Sequence, residues 1–159
     1  MISIDVTAME IAVAKDTTTT FDSVKGYNKF ECKHNWIGYL AEMVVNKYLR
    51  KLRVFKYKWI QFVKTDMSQP DFIFNNTTTV DIKCSTSDSM WFTEPVFDIY
   101  IFTKLDENKN VLYLKSWISK EGIAQAIKTG DCKRVSHMGR NDYVISSYKM
   151  NQLDSMEDI

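Results

Sequence analysis

The residues able to do chemistry gather around one short stretch: Asp71, Asp81 and Lys83, with Glu42 upstream. In Val80-Asp81-Ile82-Lys83-Cys84 the apolar residues alternate with Asp81 and Lys83. A strand here puts that carboxylate and that ammonium on one face, with Val80 and Ile82 on the other. A salt-bridged surface strand has the same pattern. Asp71-Phe72-Ile73-Phe74 reads as the preceding strand, and Asn75-Asn76 as the turn, because asparagine tolerates left-handed backbone. A three-residue loop, Asn75 to Thr77, sets Phe74 against Thr78, Ile73 against Thr79, Phe72 against Val80 and Asp71 against Asp81. A two-residue loop opposes Asp71 to Val80 and turns Asp81 to the other face. The apolar pairing of Phe72 with Val80 selects the first register.

That register has an electrostatic cost. Carboxylates directly across a strand pair repel, by roughly 4 kcal/mol at about 4 Å and an effective dielectric of about 20. Lys83 offsets part of it. A divalent cation between Asp71 and Asp81 would make the pairing favourable, and hard oxygen donors suit Mg²⁺ or Mn²⁺, which keep several waters and take few carboxylates.

These groups need elements to hold them. Trp36, Ile37, Leu40, Ala41, Val44, Val45, Tyr48 and Leu52 recur at helical spacing, predicting a helix from about Asn35, as its N-cap, to Leu52. At about 100° per residue, Glu42 falls at the edge of that apolar stripe, near Gly38 and Leu49. Val54–Val63 reads as a strand, followed by the hairpin, a polar loop Ser85–Ser89, and strands Phe97–Leu105 and Val111–Trp117 joined by a turn at Asp106–Asn110. Ser119 caps a helix through Lys128, Gly130 stops it, and Tyr143–Ser147 is a final strand. The expected class is α/β: a central mixed sheet flanked by helices. The chain reads as one domain, residues 1–159, divided into an N-terminal extension (1–33, where Ala8–Ala14 forms a short helix or strand), a core (34–148) and an acidic tail (149–159).

Pro70-Asp71, then Asp81-Ile82-Lys83, with Glu42 on a preceding helix, resembles the PD-(D/E)xK phosphodiesterase superfamily, in particular its small phage-type and prokaryotic members. The resemblance covers roughly Asn35 to Ser85. It implies a restriction-endonuclease-like core (helix, three strands, helix, strand) and a metal-dependent nuclease, endo- or exonucleolytic. DNA is the implied substrate, since most of that superfamily acts on DNA. Asp71 and Asp81 would hold Mg²⁺ or Mn²⁺ with the backbone carbonyl of Ile82, and Glu42 would bind a second ion or hold a water. Lys83 would orient the attacking water or stabilise charge on the phosphate. The alternative is a non-catalytic nucleic-acid- or partner-binding module of the same fold. Many proteins of that fold form homodimers, and nothing in this sequence decides for or against one.

The net charge is +1, but Lys47, Arg50, Lys51, Arg53, Lys56 and Lys58 lie between Lys33 and Lys64 opposite an acidic C-terminus, a distribution able to attract a phosphate backbone. For the lysines alone the plainer reading is a solvated helix face and edge strand. Lys47, Arg50 and Lys51 lie on the helix carrying Glu42, and Lys133, Arg134 and Arg140 lie in a basic loop with His137. Ser85, Ser87 and Trp91 follow the active strand, in a loop able to close over a substrate with Trp91 or Phe92 stacking on a base. His34 reads as a capping or solvent residue. Cys32, Cys84 and Cys132 have no knuckle spacing and read as reduced thiols. With no signal peptide and no membrane-length apolar run, the expected location is the cytoplasm, or a host cytoplasm for a viral protein.

Overall fold

The computed structural model describes residues 1–19, 35–53, 56–60, 69–137 and 139–159. The chain begins with β1 (Ile2–Asp5), α1 (Ala8–Thr18), α2 (Asn35–Leu52) and β2 (Tyr57–Trp59). The hairpin β3 (Phe72–Phe74) and β4 (Thr78–Ser85) follows, then β5 (Ser89–Phe92), β6 (Ile99–Asp106) and β7 (Val111–Ser119). α3 (Lys120–Thr129), β8 (Cys132–His137), β9 (Arg140–Ser146) and β10 (Asn151–Gln152) complete it. The fold is α/β with a mixed main sheet in the order β1-β7-β6-β4-β3-β2, β10 also pairing with β7, and a second sheet in the order β5-β9-β8. Among the described residues, β4 and β6 are the one parallel pair in the main sheet. Among the described residues no helix is long and apolar enough to cross a membrane.

The hairpin has the three-residue-loop register, Phe72 with Val80, Ile73 with Thr79 and Phe74 with Thr78. Asn75 and Asn76 make the turn with φ of 50° and 66°, a left-handed geometry that asparagine adopts at little cost. Alternation then sorts the sheet into two faces. Val80 and Ile82, with Phe72, Phe74, Ile101 and Leu114, pack under α2. Tyr100, Phe102 and Ile118 point the other way, onto Met90, Phe92, Ile123 and Ile145 of the second layer. Asp81 and Lys83 pair in register with Tyr100 and Phe102 and so belong to this far face.

α2 covers Asn35–Leu52, with Asn35 as its first helical residue rather than its cap. α3 is capped as expected: Ser119 Oγ accepts from Gly122 N, and Gly130 ends the helix at φ 82°. Other expectations change. The N-terminal stretch is part of the sheet and core, because β1 pairs with β7 and α1 opens on a capping box between Thr7 and Glu10. The basic stretch 133–140 is a hairpin rather than a loop, since β8 pairs with β9 from Cys132 to His137. Trp91 likewise lies in a strand, β5, opposite Val144 of β9. The stretch called a tail is anchored, with Leu153 and Met156 buried in the α2-side core. Among the described residues four further strands, β1, β5, β8 and β10, accompany the expected ones. β2 is shorter than Val54–Val63; positions 54–55 and 61–63, with His34 and Cys32, lie outside the described residues.

Asp88, in the bend between β4 and β5, holds that bend to the main sheet through Lys104 of β6 at 2.9 Å and Lys115 of β7 at 2.5 Å. The hydrogen bonds from Lys115 and Lys104 hold its carboxyl below the usual 3.8. A depressed folded value means stability that is present above pH 3.8 and lost as pH falls through the folded value. Urea midpoints measured across pH 2–5, a window set on either side of that ~3.8 value, should therefore fall more steeply for the wild type than for Asp88→Asn.

Candidate active site

Asp71 sits where β3 begins, and its main chain is held on both sides: its N–H donates to Val80 O at 3.0 Å and its carbonyl accepts from Ile60 N at 2.8 Å. That fixes the carboxylate, whose Oδ2 accepts from Ile82 N at 2.7 Å. Next to it Asp81 Oδ2 lies 2.6 Å from Lys83 Nζ. Asp71 and Asp81 are each only 5% exposed, an unusual position for carboxylates unless paired or coordinating. Burial alone would pull the Lys83 ammonium down; the charges of Asp81 and then Asp71 outweigh it and raise it above 10.5. Lys83 is thus a fixed cation at neutral pH, with its side chain one-third exposed at the mouth of the cluster.

Tyr100 flanks Asp81 across the parallel pair, and its phenol is pushed up, chiefly by burial. Cys84 points to the opposite face, where burial pushes its thiol to about 12. That removes it as a nucleophile at neutral pH.

Glu42 is buried, and the indole N–H of Trp59 donates to its Oε2 at 3.1 Å. Trp59 pairs with Phe72 and packs in the α2-side core, so Glu42 is held on the helix side of the sheet. Among the described residues no three His, Cys, Asp or Glu side chains gather as a metal-ligand cluster. The structure brings together Asp71, Asp81 and Lys83, while Glu42 is held from the helix side by Trp59. Trp59→Phe keeps an aromatic six-membered ring but removes the indole N–H that donates to a buried carboxylate. It should lower stability by about 1–2 kcal/mol in urea denaturation.

Of the basic residues singled out by sequence, Lys47 is turned away from the hairpin. Its ammonium pairs with Glu10 at 2.6 Å and donates to Asp5 O, on the side of β1, the opposite edge of the sheet from β2. Arg50 and Lys51 are exposed at the end of α2. Lys133 and Arg134 are exposed on β8, with Arg134 over the Tyr143 ring, and Arg140 pairs with Asp142 at 3.2 Å. Trp91 is 42% exposed on β5. Ser85 Oγ and Ser87 Oγ lie 2.9 Å apart in the bend after β4. Lys58, part of the basic run between Lys33 and Lys64, takes its place on the far face from the β2–β3 register.

No family model matches the chain, and no curated protein matches it. Among solved structures, a nuclease from a fusselovirus aligns with a TM-score of 0.42 and 12% identity, over 72% of this chain and 83% of that one.

Proposed function

We propose that this protein hydrolyses phosphodiester bonds of nucleic acid at the Asp71–Asp81–Lys83 cluster, with a divalent cation as cofactor. The observation that supports this most directly is the pair of buried carboxylates beside one ammonium at the end of the hairpin. Two buried carboxylates and one ammonium come together here. Oxygen donors from only two acids suit Mg²⁺ or Mn²⁺, which retain waters in their remaining positions. The residues thus fit the group: Asp71 and Asp81 would hold it, with the carbonyl of Ile82 as a further donor. Such an ion supplies Lewis acidity and a water of lowered pKa.

The chain's own residues supply position and charge. Asp71 is pre-set by the Ile82 N–H and by its pinned main chain, so its free energy of ordering is met by folding. Lys83, held charged by its acids, would stabilise the negative charge that grows on the phosphate oxygens. Glu42, on the helix side, is the third acid of this reading, for a water or a second ion. DNA is the favoured substrate on the resemblance of Pro70-Asp71 and Asp81-Ile82-Lys83 to the PD-(D/E)xK motifs.

The test is incubation with single-stranded, duplex and branched DNA and with RNA in Mg²⁺ or Mn²⁺. Cleavage of at least one DNA that EDTA stops is the expected result. Silence on every substrate would remove the hydrolase and leave a binding module.

A further inference from the structure

The register of the main sheet places four charged residues on one diagonal of the far face. Lys58 pairs with Ile73, which pairs with Thr79; Asp71 lies one strand nearer β4 and two residues further along. Lys83 is the next such step, on β4, and Lys104 the next, because it pairs with Ser85. Each step is one strand across and two residues along, about 8 Å from strand spacings of about 4.8 Å and rises of about 3.3 Å per residue. Alternation gives all four the same face: Tyr57 and Trp59 pack in the α2-side core and leave Lys58 exposed on the other side. At the Lys104 end, Lys115 joins through Asp88, two ammonium groups to one carboxylate. The Lys115 ammonium also lies 5.3 Å from the ring centre of Tyr148, which is 72% exposed.

We propose that a single strand of nucleic acid lies along this diagonal, its backbone over Lys58, Lys83 and Lys104 and a base against Tyr148. This rests on the hydrolase reading only for the identity of the phosphate at Asp71 and Asp81, where the line crosses the candidate cation position. Among the described residues this line carries three ammonium groups, Lys83 and Lys104 one step of about 8 Å apart and Lys58 two steps from Lys83 with Asp71 between them. A duplex presents two backbones and finds one track. Exposed aromatic and cationic side chains together are what unpaired strands bind, the ring taking a base and the ammonium a phosphate. Asp88 is the built-in competitor, holding Lys104 and Lys115 until phosphates draw them away.

The test is fluorescence anisotropy of a labelled single-stranded oligonucleotide in EDTA, over a salt series, with cleavage kinetics in Mg²⁺ run in parallel. Lys58→Ala and Lys104→Gln should each weaken binding several-fold and reduce the log–log salt slope by about 0.7. Their loss in cleavage should fall mainly on KM. Asp88→Asn should tighten binding, and Tyr148→Ala should weaken binding of single strands more than of duplex. Unchanged slopes in both lysine variants, or tighter binding of duplex than of single strand, overturn the track. Cleavage with unchanged slopes removes the track and keeps the hydrolase; reduced slopes with no cleavage in any metal do the reverse.

Discussion

Lys83→Ala should slow phosphodiester cleavage by about a hundred- to a thousandfold, the usual loss when one donor to developing transition-state charge is removed. The same change should make the fold depend on a divalent cation. Asp71 and Asp81 are 5% exposed, and both hold the Lys83 ammonium in its protonated form. Removing one partner of a buried ion pair costs about 3–5 kcal/mol; the 34% exposure of the Lys83 side chain lets water screen the acids and puts the expected loss below that range. Mg²⁺ or Mn²⁺ should recover it, so the rise in Tm on adding metal should be larger for Lys83→Ala than for the wild type. A ligand at a hundred times its Kd stabilises by about 2.7 kcal/mol, enough to read by calorimetry. Asp81→Asn should behave oppositely, losing cleavage and losing most of the metal-dependent shift. Glu42→Gln, at a position held from the helix side by Trp59, should leave that shift nearly intact. Cleavage by Lys83→Ala within about threefold of wild type would sink the assignment of its role. An equal metal shift in wild type and Asp81→Asn would sink the cation position.

What the sequence shows of this site is its local part. Val80 to Cys84 alternates strictly, Asn75-Asn76 marks the turn, and Phe72 facing Val80 chooses the register. Those three facts are enough to bring Asp71 beside Asp81. Helix α3 is legible for a similar reason, since Ser119 and Gly130 carry its ends in their own chemistry. The partner of Lys47 was not legible: Glu10 lies 37 positions away, and no local pattern announces it. The alignment of Lys58 and Lys104 with Lys83 is not legible in the sequence, because it needs the β2–β3 and β4–β6 pairings. The second of these is parallel and interrupted in sequence by β5, which leaves the main sheet for the other. β8 was read as a loop because Lys133, Arg134 and Ser136 make it polar, and its pairing with β9 supplies what its own residues do not.

The C-terminal residues provide the largest expected effect on stability. Leu153→Ala should lower the folding free energy by about 2–5 kcal/mol, the range for emptying a buried leucine site, and Tm by roughly 4–20 °C for a chain of this size. Leu153 is fully buried, and its N–H donates to Lys115 O at 3.1 Å, beyond the two-residue strand β10 that pairs with Trp117 and Ser116 of β7. Met156, 3% exposed, enters the same core, and the N-terminal amine pairs with Asp154 beside β1. The two chain ends therefore close one edge of the main sheet, and the apolar residues do the holding. The charges that make this stretch look like a tail have small effects by comparison. Replacing Glu157 by Gln should change stability by less than about 0.5 kcal/mol, since its side chain is exposed and the cap at Ser155 takes only its backbone N–H. Urea denaturation of the two variants decides the matter: a large loss from Glu157→Gln with little from Leu153→Ala would mean that the acidic character, not the buried leucine, secures this edge.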